Sequence, residues 1–236
     1  MTQPSFSPFK LKTALLFDLS DDRWPTKLLG INGSNLDLSD EGSHYIYCHE
    51  GYLSFQHLSG IVTLFEGMYA CVPRAVLLRG EHGSGIVITR IGFNGMFSMG
   101  GPVEPWGRLR YIDGCTDSLL IPPVKMGDPC LNALFFPPGT DQTAHTHPSM
   151  RVGMVIRGEG ECVTPEGIIP LFPGQVFIIH QDGLHKFRTA EQNMVVIAYH
   201  PDSDFGPQDE DHPMINRTIV DGISASKIDD IRTASL

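Results

Sequence analysis

Two neighbouring stretches decide how this chain folds: residues 139–158, GTDQTAHTHPSMRVGMVIRG, and residues 170–189, PLFPGQVFIIHQDGLHKFRT. Side chains at positions i and i+2 of a β-strand point to the same face, so His145 and His147 would present their imidazoles side by side. The turns "PLFPG" and "QDG" flank the strand "QVFII" and can return His185 to that pair. The pattern predicts a three-histidine metal pocket inside a small β-barrel.

The rest of the chain also consists of short β-rich segments separated by glycine. Between about residues 45 and 97 they read "HYIYCHEG", "YLSFQHLSG", "IVTLFEG", "MYACVP" and "IVITRIGF", and none resembles a long amphipathic helix. Strands of this length and spacing are typical of all-β sandwiches and barrels. We therefore expect an all-β chain of two tandem jelly-roll-like barrels with few helices, including a weak terminal helix over "SASKIDDIRTASL".

The domain limits follow from composition. A Gly/Pro-rich segment over residues 94–130 breaks regular structure and separates two β-rich blocks. We predict an N-terminal arm over residues 1–30, whose run "TALLFDL" can add a strand to either block. The first barrel would span residues 31–105, the metal-binding barrel 106–215, and a C-terminal strand and tail 216–236.

The two blocks resemble each other in sequence. An offset of 109 residues matches Gly51 with Gly160, and a two-residue slip matches Gly67 with Gly174. At the 109-residue offset the three histidines fall on apolar residues of the first block: Leu36, Leu38 and Val76. We therefore predict that the first barrel is a degenerate copy without metal ligands, and that it supports the second.

The charge and cysteine content narrow the function. The net charge of −10 comes from scattered acidic clusters, with no basic stripe, which disfavours nucleic acid and anionic membranes as partners and favours a small-molecule ligand. The start of the chain lacks signal-peptide features and no apolar run approaches about 18 residues, so we expect a cytoplasmic protein. The five cysteines form no CxxC pair and are expected to be free thiols.

The histidine-bearing stretches resemble the two motifs of the cupin superfamily. Gly139, His145, His147 and Gly158 keep the spacing of G-x5-H-x-H-x3,4-E-x6-G, and Gly174 and His185 keep that of G-x5-P-x-G-x2-H-x3-N.

This sequence departs from the motifs at four places: His180 replaces proline, the second glycine is shifted to Gly183, Thr189 replaces asparagine, and Arg151 replaces the glutamate ligand. The resemblance implies a bicupin that pairs into a homodimer through sheet edges.

Arg151 changes the chemistry that the motif predicts. An arginine is always protonated and cannot bind a cation, so three histidines remain, a ligand set that the resemblance associates with cupin dioxygenases. Neutral imidazoles suit Fe(II), which we favour, and also Mn, Ni, Zn or Cu. Because no carboxylate offsets the metal charge, we expect an anionic or chelating substrate, which Arg151 could hold by a bidentate contact.

Three function classes are compatible with this sequence. The first is a non-haem Fe(II) dioxygenase that acts on a small organic substrate. The second is a redox-neutral metal-dependent isomerase or lyase, in which His180 or Tyr199 would be the general base. The third is a non-catalytic bicupin that binds a small molecule.

Overall fold

The computed structural model describes residues 3–202, 219–220 and 223–224, and within them the protein is built of strands. A single 3-10 turn, Ile112–Gly114, is the only helical segment in these ranges, so the all-β prediction is confirmed. The predicted terminal helix lies almost wholly outside the described residues. In this part of the chain no helix is long and apolar enough to cross a membrane.

Ten strands form the first half of the chain: β1 (Phe6–Lys10), β2 (Ala14–Leu19), β3 (Thr26–Asn32), β4 (Leu36–Leu38), β5 (Gly42–His57), β6 (Gly60–Phe65), β7 (Tyr69–Pro73), β8 (Val76–Leu78), β9 (Gly83–Ile91) and β10 (Ser98–Gly100). Nine follow up to residue 200: β11 (Leu109–Arg110), β12 (Thr116–Ile121), β13 (Cys130–Phe136), β14 (Arg151–Gly158), β15 (Gly160–Thr164), β16 (Gly167–Leu171), β17 (Gln175–Ile179), β18 (Lys186–Arg188) and β19 (Met194–His200). In a separate compact unit, residues 204–236, β20 (Ile219–Val220) pairs with β21 (Ile223–Ser224).

The sequence repeat is also a repeat of strand order. The first large sheet runs β10-β7-β5-β9-β3-β2, with β6 beside β5, and the second runs β1-β17-β14-β19-β13-β12-β11. The order β7-β5-β9-β3-β2 therefore recurs as β17-β14-β19-β13-β12. Each half also has a small sheet, which is β4-β8 in the first half and β16-β15-β18 in the second. We call the large and small sheets of the first half the first unit, and those of the second half the second unit.

The strand pairing corrects the register of the sequence alignment. Gly51 and Gly158 have φ of 66° and 67°, and a Cβ on either would meet, at 2.0 or 1.8 Å, the carbonyl oxygen of the residue just before the facing strand. These two glycines are therefore equivalent, at an offset of 107, rather than Gly51 and Gly160. At this offset His145 falls on Leu38 and His185 falls on Leu78, and both of these apolar side chains are buried.

The N-terminal arm contributes to both large sheets. Strand β1 pairs antiparallel with β17, from Phe6 opposite Ile179 to Lys10 opposite Gln175, whereas β2 pairs with β3 of the first sheet. The arm therefore links the two halves and brings residues 3–10 beside the strand that precedes His185.

Three apolar clusters hold the fold together. One lies between the two large sheets and includes Tyr45 and Tyr199, whose rings are 5.2 Å apart. The other two fill the interiors of the first and second units. The five cysteines are buried, and none of them forms a disulfide bond within the described residues.

Candidate metal centre

The structure brings His145, His147 and His185 together at one end of the second unit. Each can offer one nitrogen to a metal ion, and these atoms all lie within 4.8 Å of one another. The ring centroids are 4.6 to 5.2 Å apart. A metal ion held by these three residues would lie among their rings.

Backbone carbonyls fix the orientation of two of these rings. His145 Nδ1 lies 2.8 Å from the carbonyl oxygen of Thr143, and His185 Nδ1 lies 2.9 Å from that of Gly183. A carbonyl only accepts, so Nδ1 carries a proton in both rings, and in the neutral form of each ring Nε2 is the nitrogen that can bind a metal. This is the arrangement that metal-binding histidines use, so the residues fit a metal ion.

His147, the third candidate ligand, is held by the turn before His185. The backbone N–H of Asp182 donates to the carbonyl oxygen of His147 over 2.8 Å. Asp182 itself has a φ of 55°, a conformation in which non-glycine residues are uncommon, and it stands where the cupin motif has glycine. The turn therefore keeps the glycine-like backbone conformation although the glycine has moved to Gly183.

Burial keeps two of the imidazoles neutral. Desolvation, with Arg151 and the other two histidines as smaller causes, lowers the pKa of His147 to about 3. Desolvation also lowers the pKa of His185 to about 4. Both rings are therefore unprotonated at neutral pH, as a metal ligand must be.

Arg151 begins β14 and its side chain is mostly buried beside the histidines. Its Nη1 donates to Asp202 Oδ1 at 3.3 Å, to the carbonyl oxygen of Met150 at 3.0 Å and to Ser149. Its Nε is buried and has no hydrogen-bond partner among the described residues. Burial lowers the pKa of Arg151, but an arginine remains charged, so the site holds a cation that Asp202 only partly balances.

A small cavity of about 20 Å³ adjoins the histidines, which is room for one molecule the size of water. Its polar lining comprises Tyr111, His147, Arg151, His185 and His200, and its walls are apolar. Gly153 of β14 also lines this cavity. A Cβ at this position would meet the Phe177 ring at 2.2 Å, so a larger residue would not fit without moving that ring.

His200 and Tyr111 are pocket residues that the sequence did not single out. Only alternate residues of β19 can face the cavity, and Ala198 and His200 are among those that line it. Burial, with Arg151 and His147 as further causes, holds the pKa of His200 well below its usual value. The segment "MVVIAYH" is apolar at six of its seven positions. Polar and apolar residues therefore do not alternate along it, and the sequence cannot show which face of β19 points inward.

The two candidate general bases lie away from the cavity. Tyr199 is fully buried in the cluster between the large sheets. His180 is 3% exposed, and its ring nitrogens contact Gln3 and Ser7 of the N-terminal arm. The structure thus groups Arg151 with the three histidines, but not His180 or Tyr199.

Comparison with protein-family models and with curated proteins finds no match to this sequence. Solved structures do match. A cupin 2 conserved barrel domain protein from Leptotrichia buccalis has a TM-score of 0.57 at 13% identity, over 84% of this chain and 90% of that one. The putative glyoxylate-induced protein of Pseudomonas aeruginosa has a TM-score of 0.61 at 14% identity, over 88% and 84%. A mutant of the salicylate 1,2-dioxygenase of Pseudoaminobacter salicylatoxidans has a TM-score of 0.55 at 10% identity, over 74% and 70%.

These similarities identify the fold. The chain has the fold of the cupin superfamily, in agreement with the histidine motifs.

Proposed function

We propose that this protein is a bicupin enzyme whose second barrel binds Fe(II) and uses O₂ to oxidise a small anionic or chelating organic substrate. The observation that carries the proposal is the ligand group itself. Three histidines converge, two with their Nδ1 protons directed to backbone carbonyls, and a buried arginine lies where the cupin motif has a carboxylate. Three neutral ligands leave coordination positions open, as in catalytic metal sites.

The charge of this site favours an anion. Neutral imidazoles do not reduce the charge of a bound divalent ion, and Arg151 adds a further positive charge beside it. The unpartnered Nε of Arg151 is a donor that a substrate carboxylate could satisfy, with the guanidinium then holding the substrate in one orientation. Asp202 competes for the same guanidinium and so weakens the binding of anions that cannot also reach the metal.

The residues around the cavity would limit what reaches the metal. An apolar wall of this cavity is formed by Leu134, Phe177, Phe187 and Val196. A space of about 20 Å³ does not hold an organic acid, so the substrate must bind at the outer side of the imidazoles or displace part of the wall. When bound, Fe(II) would supply the redox chemistry with O₂, while the chain binds and orients the substrate.

Oxygen uptake by metal-reconstituted protein tests the proposal. The protein and a His145→Ala/His147→Ala double variant would be loaded with Fe(II) anaerobically and then exposed to O₂ with small carboxylates that carry a neighbouring hydroxyl or keto group. Salicylate belongs in this panel because one similar structure is a salicylate dioxygenase. We expect substrate-dependent uptake in the wild type alone. Iron-loaded protein that consumes no O₂ with any compound would contradict the oxygenase assignment.

A redox-neutral lyase or isomerase is the second candidate, and His200 favours it. This side chain lines the same cavity as His147 and His185, so it could accept a proton from a metal-bound substrate there. Turnover by the Zn(II)-loaded protein without O₂ would establish this function in place of the first.

A further inference from the structure

We propose that the N-terminal strap, residues 3–10, positions the metal ligand His185 and that His180 is the positioning residue that connects them. The inference rests on the metal site of the proposed function but not on its reaction. It also gives His180 a role different from that of a general base.

His180 is joined to the strap through both of its ring nitrogens. Gln3 Nε2 lies 2.6 Å from Nδ1, and Ser7 Oγ lies 2.8 Å from Nε2. A neutral imidazole has one acceptor and one donor, so the amide of Gln3 can donate to Nδ1 while the hydroxyl of Ser7 accepts from Nε2–H. The Phe17 ring packs against the imidazole of His180 in a T-shaped contact, with centroids 5.5 Å apart. No ring nitrogen is left for a substrate or a metal.

The backbone of the strap also lies against the turn that leads to His185. The N–H of His180 donates to the carbonyl oxygen of Ser5 over 3.0 Å, and the N–H of Gly183 donates to the carbonyl oxygen of His180 over 2.9 Å. A Cβ at Gly183 would meet the Ser5 carbonyl oxygen at 2.5 Å. Residue 183 must therefore be small for the strap to sit where it does.

From this turn, contacts run to all three candidate ligands. The carbonyl oxygen of Gly183 accepts the Nδ1 proton of His185, and the N–H of Asp182 donates to the carbonyl oxygen of His147. His185 in turn forms a backbone bridge with His145. The position of the turn therefore sets the direction of the His185 ring and the place of His147.

Loosening the strap should weaken metal binding without removing a ligand. Outer partners that orient a ligating histidine typically change metal affinity 10- to 100-fold when they are lost. The strap acts one contact further out, through the Gly183 carbonyl, so we expect an effect of about tenfold.

The test variant is Gln3→Ala/Ser7→Ala, which keeps His180 and every ligand. The first unit offers a matched control, Gln56→Ala/Ser59→Ala, because Gln56 bonds the carbonyl oxygen of His57 and Ser59 bonds its ring. Co(II) dissociation constants would be measured by chelator competition, and amide hydrogen exchange would be followed in metal-free protein over residues 181–187. We expect about tenfold weaker Co(II) binding and faster exchange in the strap variant alone.

A purely structural role would give a different result. The melting temperature of the metal-free strap variant would then fall, but its Co(II) affinity and the exchange of residues 181–187 would match the control, which would overturn the inference. Ser7→Thr, made with Gln3 unchanged, retains the hydroxyl and should bind Co(II) with near wild-type affinity. A failure to do so would also count against the role of Ser7.

These results separate the inference from the proposed function. Equal Co(II) affinities in wild type and strap variant refute the strap role and leave the oxygenase proposal intact. Co(II) binding that depends on the strap, in a protein that consumes no O₂, supports the strap role and refutes the oxygenase. A wild type that binds neither Co(II) nor Fe(II) refutes both.

Discussion

The backbone N–H of His145 lies 2.9 Å from the carbonyl oxygen of His185, and the N–H of His185 lies 3.1 Å from the carbonyl oxygen of His145. Two candidate ligands that are 40 residues apart are therefore paired as neighbours in an antiparallel bridge. Main-chain hydrogen bonds do not depend on the side chains at these positions. The ligands can be replaced, we infer, without loss of the fold.

Replacement of His147 by alanine should abolish the stabilisation that a metal provides. A ligand that binds only the native state stabilises it by about 2.7 kcal/mol at 100 times its dissociation constant. We expect Zn(II) or Co(II) to raise the melting temperature of the wild type but not of His147→Ala. The exposed His82 offers the control, since His82→Ala should respond to metal as the wild type does. An equal metal response in His147→Ala would exclude this residue as a ligand.

Replacement of Arg151 by glutamate should convert the site to the usual cupin ligand set. A carboxylate at this position would add a fourth ligand and remove the cation, so we expect Arg151→Glu to bind divalent metal more tightly and small carboxylates more weakly. Arg151→Gln separates the two effects, because it removes the charge without adding a ligand. Calorimetric titration with Zn(II), and then with acetate or salicylate on the loaded protein, measures both. Unchanged carboxylate binding in Arg151→Gln would show that Arg151 does not contact the anion.

The grouping of the three histidines could be predicted from the sequence because its evidence is local. The spacing of His145 and His147 and the turn before His185 follow from strand periodicity and from turn residues a few positions away. His200 could not be placed in this way, because both faces of β19 are buried and its sequence does not alternate. The contacts of His180 with Gln3 and Ser7 span more than 170 residues, and only the pairing of β1 with β17 creates them.

The strand repeat shows the same limit. The sequence matches Gly67 with Gly174 correctly, at an offset of 107, but it pairs Gly51 with Gly160, because two glycines, Gly158 and Gly160, stand close together in the second copy. The positive φ at Gly51 and Gly158 distinguishes them, and that property follows from the facing strand rather than from the local sequence.

Replacement of Phe177 by leucine should enlarge the cavity and change which anions bind. The Phe177 ring stacks on Phe6 with centroids 4.9 Å apart, and it borders the cavity. We expect the Co(II)-loaded variant to bind salicylate more tightly relative to acetate than the wild type does, as followed by visible absorption. Phe55→Leu, at a buried site in the first unit, should cost similar stability, on the order of 1 kcal/mol, without this shift. An unchanged ratio in Phe177→Leu would mean that the ring does not limit access.

Asp117 should make the protein less stable as the pH rises towards neutrality. Its Oδ2 accepts a hydrogen bond from Asn132 at 3.3 Å, but its Oδ1 is buried without a partner among the described residues. Desolvation raises the pKa of Asp117 to about 7, against about 3.9 in an unfolded chain. Well below pH 4 the carboxyl group is protonated in both the folded and the unfolded state and carries no penalty. Between about pH 4 and 7 the unfolded chain ionises first, so the free energy of unfolding decreases as the pH rises.

Asp117→Asn removes this titration and tests its sign. We expect the variant to match the wild type near pH 4 and to exceed its free energy of unfolding above pH 7, on the order of 2 kcal/mol once partial solvent screening is allowed for. Urea unfolding of the metal-free protein at several pH values measures the difference. Asp37→Asn, on an exposed part of β4, controls for the loss of one negative charge from an acidic protein. A stability gain that is equal at pH 4 and pH 8 would show that the buried carboxylate is not its cause.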